Sequence, residues 1–539
     1  MKLIMRLFLT GALVVSLLVG CTQVDVGTQK NKYTYEQAAE NLVKLYDRVV
    51  GKTVDDPGRY DGGSDEFYSD EDVSTLLPDF YETKQPVVYE NRDDSVFAVV
   101  VSSTEKAVNN STDRWLIDMA EAYNKKSDRL GSIRLYGVAS GEAFDYIRSG
   151  KFVPDAFTPS NTLWGDALGL TPYVDRVVGN VAGIVSKAGI SIDEVVSGVE
   201  NSALTFGYTN PLASSTGANF LLQYLHGLRD SDSFETFQKN IALVSYTTPQ
   251  MRNAALSGKL DAFVYESQQF YTGATPNGTT LADTYKFVPF GVRHDSPMYV
   301  LNESRRVLIE DFTQFCLLDE NQNKAEKYGF NRYNEYKGAS TTGYTLLEDQ
   351  AHYKEKKSGG RPVVSVFVCD VSGSMNGSPL YELKQSLRAC AGVISQESYV
   401  GLVTFATDVA VNLPIAPFDS TMQSRFREAT RQLVTRGGTA MYSGLIVAEK
   451  LILDYKEANS GMDAIYRIFV LTDGENTDGL SKGVTIDVLQ SLGIPIYTIG
   501  YNAGSGDLGT LAGLNEAAYV KVDDTNVGYA LANFFRAEF

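Results

Sequence analysis

The chain has 539 residues, and at roughly 100 to 200 residues per domain this length predicts two to four domains. Hydrophobic residues make up 43% of the chain, which is enough to bury a sizeable core and excludes wholesale disorder. A formal net charge of −18 argues against nucleic-acid binding through phosphate contacts. Only three histidines and four cysteines occur, and because they are scattered, zinc, haem and iron–sulfur sites lack a ligand set.

The N-terminus has the pattern of an export signal. Lys2 and Arg6 give it a positive start, and residues 7–19 form an apolar run that is too short to span a bilayer. The run ends in Leu-Val-Gly-Cys at Cys21, which resembles the lipobox of bacterial lipoproteins. This resemblance implies that residues 1–20 are a signal peptide and that lipid on Cys21 anchors the protein to the cell membrane or outer membrane, outside the cytoplasm. A plain secretory signal with an incidental cysteine is the alternative.

Residues 21–94 are acidic. From residue 22 to 94, 17 Asp plus Glu stand against 8 Lys plus Arg, a net charge of −9. Leu42, Leu45 and Val49 fall at helical spacing and predict one short helix, whereas residues 55–72 lack any periodicity. We interpret the segment as a solvated, repulsive tether. Calcium binding is the less favoured alternative, because the carboxylates do not follow an EF-hand pattern.

From residue 95 onward, short apolar strands alternate with helix-length segments, a pattern typical of parallel sheets covered by helices. Two such blocks occur, at 95–336 and 361–539. Residues 337–360 between them are polar and contain several Gly and Ser residues, so we interpret them as a linker. The sequence therefore predicts an α/β protein with two domains.

The second block carries oxygen ligands at the ends of its strands. Residues 363–369 are nearly all apolar and predict a central strand buried on both faces. Its carboxyl end is where open α/β sheets bind their ligands. The candidate donors are Asp370, Ser372 and Ser374 after this strand, Thr439 in a Gly-containing loop, and Asp473 after a second strand. Hard oxygen ligands at this spacing suit Mg²⁺, which uses few carboxylates and retains waters.

This set resembles the von Willebrand factor type A domain, and the resemblance covers residues 361–539. The D-x-S-x-S element, the threonine loop and the T-D-G element occur in the expected order. The resemblance implies a Rossmann-like, doubly wound fold with a metal-ion-dependent adhesion site. There Mg²⁺, or alternatively Mn²⁺ or Ca²⁺, would be completed by a carboxylate of a protein partner. Metal-assisted hydrolysis is less favoured, because no histidine follows His352 and Glu475 is the only extra carboxylate beside Asp473, so we expect no enzyme.

In the first block, residues 95–336, the predicted strands end in polar residues. Hydroxyls and backbone N–H groups at a helix start suit oxyanions. The expected ligand contacts are Ser102, Ser103, Thr104, Ser140, Ser160, Ser215, Thr216 and Tyr265. The order in which strands and their polar ends follow one another over residues 95–336 resembles that of bacterial extracellular solute-binding proteins. This resemblance implies a two-lobed, type II periplasmic-binding-protein fold that closes on a small solute, with crossings between the lobes at 178–187 and 286–299.

The solute is less clearly indicated than the cleft. The hydroxyls favour an anion, whereas Glu105 and Glu266 would repel one if they face the cleft. A zwitterion, a polar neutral molecule and a cleft that no longer binds solute are the alternatives. Together the resemblances imply a lipid-anchored recognition protein that binds a small polar or anionic solute and, through Mg²⁺, a protein partner. The alternative is a solute-delivery subunit of a membrane transporter.

Overall fold

The computed structural model describes residues 31–49, 51–53, 56–59, 77–245, 248–272, 278–503, 506–515, 517, 519–522 and 527–538. These residues form three β-sheets with helices packed on them. The predicted signal peptide and Cys21 lie outside the described residues. Within the described ranges, no helix is both long and apolar enough to cross a membrane.

The elements fall into three successive segments of the chain. The N-terminal segment contains α1 (Tyr35–Tyr46) and β1 (Gly51–Thr53). The middle segment contains α2 (Phe80–Thr83), β2 (Phe97–Ser102), α3 (Trp115–Asn124), β3 (Ser132–Gly137), α4 (Ser140–Ser149), β4 (Ala156–Thr158), α5 (Leu163–Ala167), β5 (Val181–Ser186), α6 (Ile192–Glu200), β6 (Phe206–Thr209), α7 (Ser215–Gln223), α8 (Phe234–Lys239), β7 (Leu243–Ser245), α9 (Thr248–Leu256), β8 (Ala262–Glu266), α10 (Ser267–Thr272), β9 (Lys286–Arg293), β10 (Tyr299–Val300), α11 (Arg306–Leu317), α12 (Asp319–Lys327) and α13 (Leu346–Lys356). The C-terminal segment contains β11 (Val363–Asp370), α14 (Ser378–Cys390), β12 (Tyr399–Phe405), β13 (Val409–Pro417), α15 (Ser420–Arg431), α16 (Met441–Ala458), β14 (Ile465–Thr472), α17 (Lys482–Leu492), β15 (Ile496–Tyr501), α18 (Gly506–Leu514), β16 (Tyr519–Val522) and α19 (Val527–Glu538).

The middle segment forms two lobes, each built on its own sheet. The sheet of lobe 1 has the strand order β10-β4-β2-β3, and that of lobe 2 has the order β7-β6-β8-β5-β9. The chain crosses from lobe 1 to lobe 2 between β4 and β5 and returns between β9 and β10, whereas most of the predicted crossings 178–187 and 286–299 is taken up by the strands β5 and β9 of lobe 2. The α/β class is confirmed, but the sheets are mixed, because β5 pairs antiparallel with both β8 and β9.

The C-terminal segment builds a seven-stranded sheet in the order β1-β13-β12-β11-β14-β15-β16. The central strand β11 is buried over its whole length, because its apolar side chains face helices on both sides. Only β13 and β1 run against the other strands. A connection of three residues joins β12 to β13, and such a short connection requires an antiparallel pair.

The prediction of a solvated tether over residues 21–94 is wrong for the described part of the N-terminal segment. α1 begins with a capping box between Thr34 and Gln37 and buries Ala38, Leu42 and Leu45. These three side chains belong to one apolar cluster with α16 and α17 of the C-terminal segment. β1 extends the C-terminal sheet, so α1 and β1 belong to the C-terminal domain and the two-lobed domain is inserted between them and β11.

The other end of the predicted tether belongs to lobe 1. Phe80 is buried and stacks on Phe152, and its ring also contacts Tyr136 and Tyr146. Val88 forms an antiparallel bridge with Leu135 of β3. The two-lobed domain therefore includes residues 77–94 and does not begin at residue 95.

The predicted linker 337–360 contains α13 and contacts both lobes. On the lobe 1 side, the backbone N–H of Gly343 donates to Asp166 Oδ2 at 2.9 Å, and Leu346 is fully buried. On the lobe 2 side, Tyr353 is buried and its ring lies against Tyr208 and Phe234. We call residues 337–356 the strap. The glycines around α13 indicated a flexible linker, but at positions 338, 359 and 360 they adopt positive φ in turns that flank an ordered helix.

Candidate metal site and interlobe cleft

Four of the five predicted metal donors form one hydrogen-bonded group at the carboxyl edge of the C-terminal sheet. β11 ends at Asp370, whose Oδ1 accepts a hydrogen bond from the backbone N–H of Ser372 at 2.7 Å. The hydroxyls of Ser372 and Ser374 are 3.0 Å apart, and the Ser374 hydroxyl donates to Asp473 Oδ1 at 2.8 Å. Since Asp473 directly follows β14, neighbouring parallel strands bring the two carboxylates to one place.

Hydrogen bonds between loops position the fifth donor, Thr439. The N–H of Gly373 donates to the carbonyl of Gly437 at 2.9 Å, which joins the threonine loop to the serine loop. Gly437 has a φ of +59°, a left-handed conformation that favours glycine. On its other side, Thr439 accepts backbone hydrogen bonds from Thr477 and Asp478 through its carbonyl. Thr439 is buried by these contacts.

The two carboxylates of the group carry no cationic partner within the described part of the chain. Burial raises the pKa of Asp370, and the nearby charge of Asp473 adds to the rise, although hydrogen bonds from Ser372 and Thr472 oppose it. Burial likewise raises the pKa of Asp473, against the hydrogen bond from Ser374. Two adjacent carboxylates without a Lys or Arg are an electrostatic arrangement that a divalent cation would stabilise.

The donor set fits a small, hard cation. Among the described residues no group of three or more His, Cys, Asp and Glu side chains is arranged to hold a metal, so any ion here depends on hydroxyl and water oxygens. Mg²⁺ accepts such a shell because it retains waters and needs few carboxylates. Asp370, Ser372, Ser374, Thr439 and Asp473 are the residues that would hold it. A bound ion would supply an open coordination position for an anionic oxygen from outside the chain.

Across the middle domain, the two lobes touch each other through polar side chains. The indole N–H of Trp164 in lobe 1 donates to Ser215 Oγ in lobe 2 at 2.9 Å. At another point, the Gln268 amide of lobe 2 donates to the carbonyl of Thr112 and to Asp113 Oδ1 of lobe 1, at 2.9 and 3.1 Å. The lobes are therefore closed on one another.

His294, which is fully buried, is the centre of the contact. Its Nδ1 lies 2.8 Å from Glu266 Oε1, and its Nε2 lies 3.1 Å from the side-chain amides of Asn161 and Asn219. Because both amides donate to Nε2, the ring hydrogen is assigned to Nδ1, where it donates to the carboxylate. His294 thus connects lobe 1, lobe 2 and the segment that crosses between them.

A buried ion pair lies at the tip of β2. The Lys106 side chain is fully buried, and its ammonium group donates to Ser103 Oγ at 2.5 Å, Glu105 Oε1 at 3.2 Å and the carbonyl of Thr158 at 2.9 Å. Burial lowers the pKa of Lys106 despite the neighbouring carboxylate. Burial also acts to raise the pKa of Glu105, but the charge of Lys106 and the Ser103 hydroxyl hold it below its usual value.

Two parts of the chain match known families. Residues 366–536 match the von Willebrand factor type A domain, and residues 107–331 match the family described as bacterial extracellular solute-binding protein. The chain joins a solute-binding-protein-like domain to a von Willebrand factor type A (VWA) domain. Each match begins and ends inside the corresponding structural domain.

Curated relatives are similar to this chain only over part of their length. Inter-alpha-trypsin inhibitor heavy chain H3 of Mesocricetus auratus is 26% identical over 193 residues, which are 33% of this chain and 21% of that protein. An uncharacterized protein of Synechocystis sp. is 30% identical over 146 residues, 26% of this chain and 32% of that one. The chain therefore spans about a fifth to a third of the length of these relatives.

Solved structures similar to each domain are distant in sequence. A von Willebrand factor type A protein from Catenulispora acidiphila has 19% identity, covers 33% of this chain and 42% of that chain, and has a TM-score of 0.30. A periplasmic thiamin binding protein has 14% identity, covers 50% and 99%, and has a TM-score of 0.39. Iron-bound HitA from Pseudomonas aeruginosa has 14% identity, covers 49% and 99%, and has a TM-score of 0.37.

Most of the predicted solute contacts are buried at the lobe interface of the solute-binding-protein-like domain and bond to the chain itself. The buried ones are Ser102, Ser103, Ser140, Ser160, Ser215, Thr216 and Tyr265. Thr216 donates to Glu266 Oε1 at 3.3 Å, and the Ser140 hydroxyl accepts from the N–H of Ser160 at 3.4 Å. Thr104 is the exception, because its side chain is exposed.

Sequence reasoning missed the long polar side chains that join the lobes. These are Lys106, Asn161, Asn219, Gln268 and His294. The available signal was weak: Lys106 directly follows Glu105, and His294 lies in the predicted crossing 286–299. Hydroxyls at strand tips were the more obvious candidates, but such residues often serve as caps and turns.

Proposed function

We propose that the chain is a non-enzymatic, lipid-anchored recognition protein that acts outside the cytoplasm. Its VWA domain binds a protein partner through Mg²⁺, and its solute-binding-protein-like domain holds a small polar or anionic solute. The observation that carries the proposal is the hydrogen-bonded group of Asp370, Ser372, Ser374 and Asp473 beside Thr439, at the carboxyl edge of a parallel sheet.

The metal part of the proposal is supported by the chemistry of the site. Both carboxylates are partly or fully withdrawn from water and lack a positive partner among the described residues. No histidine follows His352, so the site has no imidazole that could serve as a general base. Binding of a partner's carboxylate to the ion therefore fits the group better than hydrolysis does.

Magnesium binding is tested by thermal unfolding of the full chain with Mg²⁺ and with a chelator. We expect Mg²⁺ to raise the unfolding temperature of wild type, because a ligand that binds only the folded state stabilises it. Asp370→Ala and Asp473→Ala should lose this response. Asp454→Ala, on the exposed side of α16, is the matched control and should keep it. An equal response in all four proteins would refute the site.

Partner binding is tested with immobilised full chain and an envelope extract from the host. Retention of a specific protein should need Mg²⁺ and should be lost with Asp473→Ala but not with Asp454→Ala. Retention that is the same in chelator would assign the partner to another surface.

Anchoring is tested at Cys21, which lies outside the described residues. We expect mass spectrometry to find lipid on the mature N-terminus and Cys21→Ser to release the protein or leave it unprocessed. A mature N-terminus that begins beyond Cys21 and carries no lipid would contradict anchoring. Loss of membrane association without loss of Mg²⁺ response would separate the anchor from the metal site.

A further inference from the structure

Arg252 has an unusual environment in lobe 2. It lies one turn into α9, and only 9% of its surface is exposed. Its Nε and Nη2 atoms are buried and have no hydrogen-bond partner among the described residues. An unpaired buried charge costs several kcal/mol in folding stability, and buried guanidinium groups are normally paired with a carboxylate. An oxygen of a bound ligand beside Nε and Nη2 would remove this cost.

Other unpaired polar atoms occur on the same side of lobe 2. The hydroxyl of Ser245 and Oε1 of Gln268 are buried and also lack a partner within the described ranges. Ser245 is the last residue of β7, shortly before α9, and Gln268 follows the end of β8. Both lie at the carboxyl ends of parallel strands, and Gln268 reaches across to Asp113 of lobe 1. This is the edge where α/β sheets bind ligands.

The other buried charges of the cleft are compensated within the chain. Lys106 pairs with Glu105, and Glu266 accepts from His294 and from the Asn180 amide at 2.9 Å. The Asp113 carboxylate accepts from Asn110 and Gln268, and burial raises its pKa, which favours its neutral form. Among the described residues of the cleft, Arg252 differs from these groups because two of its buried nitrogens have no hydrogen-bond partner.

Tyr265 packs in one cluster with residues of α9, the helix that carries Arg252. It follows Val264 on β8 and packs in one apolar cluster with Met251, the neighbour of Arg252. Burial raises the pKa of Tyr265, and the charge of Arg252 acts against this rise. α9 begins at Thr248, soon after β7 ends at Ser245, so the first turn of α9 and Arg252 lie beside the carboxyl edge of the lobe 2 sheet.

We propose that Arg252 anchors an oxyanion group of the cleft solute, a carboxylate or a phosphate, with Ser245 and Gln268 as additional hydrogen-bonding groups. The inference rests on the proposed solute binding and names the class of solute. A guanidinium binds such groups with two parallel N–H donors, which an ammonium group cannot do. The predicted contact Tyr265 then forms part of the wall of this subsite.

The experiment uses the full chain and measures unfolding temperature and binding heat. The probes are inorganic phosphate and succinate, with sodium chloride at equal ionic strength as a salt control and glucose as an uncharged solute. The variants are Arg252→Gln, Arg252→Lys and Lys286→Gln. The last one removes a positive charge from the exposed surface of the same lobe and is the matched control.

We expect phosphate or succinate to raise the unfolding temperature of wild type and of Lys286→Gln. Arg252→Gln should lose at least about tenfold in affinity for the anion. Arg252→Lys should lose less affinity, because lysine keeps the positive charge but lacks the two parallel N–H donors of the guanidinium group. Without anion, Arg252→Gln should unfold at a higher temperature than wild type, since it removes an uncompensated buried charge. An arginine with a purely structural role would give the opposite shift.

The probes and variants of this experiment distinguish the possible outcomes. A response to phosphate alone or to succinate alone assigns the oxyanion to one source. Equal anion affinity in wild type and Arg252→Gln overturns the proposal. A response to glucose without any response to anions also overturns it, but leaves solute binding in the cleft intact. No response to any probe, and no co-purified solute by native mass spectrometry, contradicts both the inference and the proposed solute binding.

Discussion

Gly51 pairs in parallel register with Val409, and this contact joins the N-terminal strand to the edge of the VWA sheet. The chain leaves the VWA domain after β1 at the sheet edge and returns at β11 in the sheet centre, with the whole solute-binding-protein-like domain in between. Both connections of the inserted domain therefore lead into one sheet. The metal-site residue Asp370 lies at the end of the strand that receives the returning chain.

The first prediction concerns α1. Leu42 is fully buried against the helices of the VWA domain, whereas its neighbour Val43 is 44% exposed. Leu42→Ala should lower the free energy of unfolding by about 2 to 4 kcal/mol, because it removes buried methyl groups and leaves a cavity. Val43→Ala should change it by less than about 0.5 kcal/mol. Urea unfolding of the full chain measures both.

If Leu42→Ala were as stable as Val43→Ala, α1 would not contribute to the VWA core. A fragment that begins at residue 361 gives a related result, since it lacks both α1 and β1. It should expose the apolar face formed by α16 and α17 and unfold in less urea than the VWA domain of the full chain.

The sequence was informative where one local pattern determines both structure and chemistry. The apolar run of β11 and the alternate donors after it are local, so strand, sheet edge and ligand group could all be predicted from them. The spacing of Leu42 and Leu45 predicted a helix and its buried face. Periodicity does not identify what covers that face, and here the cover comes from residues about 400 positions later in the chain.

The cleft was harder to predict because its contacts join residues that are far apart in sequence. Asn161 and His294 meet only when the crossing segments bring the lobes together. Ser215 was predicted as a solute contact, but its hydroxyl accepts from Trp164 of the other lobe. A single sequence indicates that a serine caps a helix or ends a strand, yet it does not indicate which long side chain will reach it.

The second prediction concerns the loop that carries Thr439. Gly437 has positive φ, and a Cβ there would lie 2.5 Å from Thr407 Oγ1. Gly437→Ala should therefore shift the loop, weaken its contact with Gly373 and reduce the Mg²⁺-dependent rise in unfolding temperature. A cost of about 1 to 2 kcal/mol for the left-handed conformation is expected in addition. Gly461→Ala, where a Cβ has open space, should leave the Mg²⁺ response unchanged.

The third prediction concerns Glu449 on α16. Its side chain is fully buried and neither carboxylate oxygen has a hydrogen-bond partner in the described structure. Burial raises the pKa of Glu449 well above its usual value of 4.5, so the folded state keeps the proton that the unfolded state releases. The free energy of unfolding should therefore fall as pH rises above about 4.5, by at most about 1.4 kcal/mol per pH unit.

Glu449→Gln cannot ionise and should remove this loss. We expect little difference from wild type near pH 4 and a gain of about 1 to 3 kcal/mol near pH 7, measured by urea unfolding across the pH range. Glu457→Gln on the exposed side of the same helix is the control and should follow wild type. A Glu449→Gln profile parallel to wild type at every pH would show that the carboxyl ionises freely in the folded protein.

The last prediction concerns the strap, whose middle contacts lobe 1 at Gly343 while both of its ends contact lobe 2. A Cβ at Gly343 would lie 1.9 Å from the carbonyl oxygen of Leu163 in lobe 1, so Gly343→Ala must move the strap off that lobe. The contact of Tyr353 with Tyr208 and the hydrogen bond of Ala339 to Gly291 should hold both ends on lobe 2. Because the strap then no longer connects the lobes, we expect amide hydrogen exchange at residues 343–346 to become about ten- to a hundredfold faster, equivalent to a loss of about 1.4 to 2.8 kcal/mol in the free energy of local opening.

Small-angle scattering of the Gly343→Ala protein should show wider lobe separation. Ser340→Ala, exposed in the same segment, should change neither quantity. If Gly343→Ala speeds exchange but leaves the scattering of wild type unchanged, the polar contacts around His294 are sufficient to keep the lobes closed without the strap.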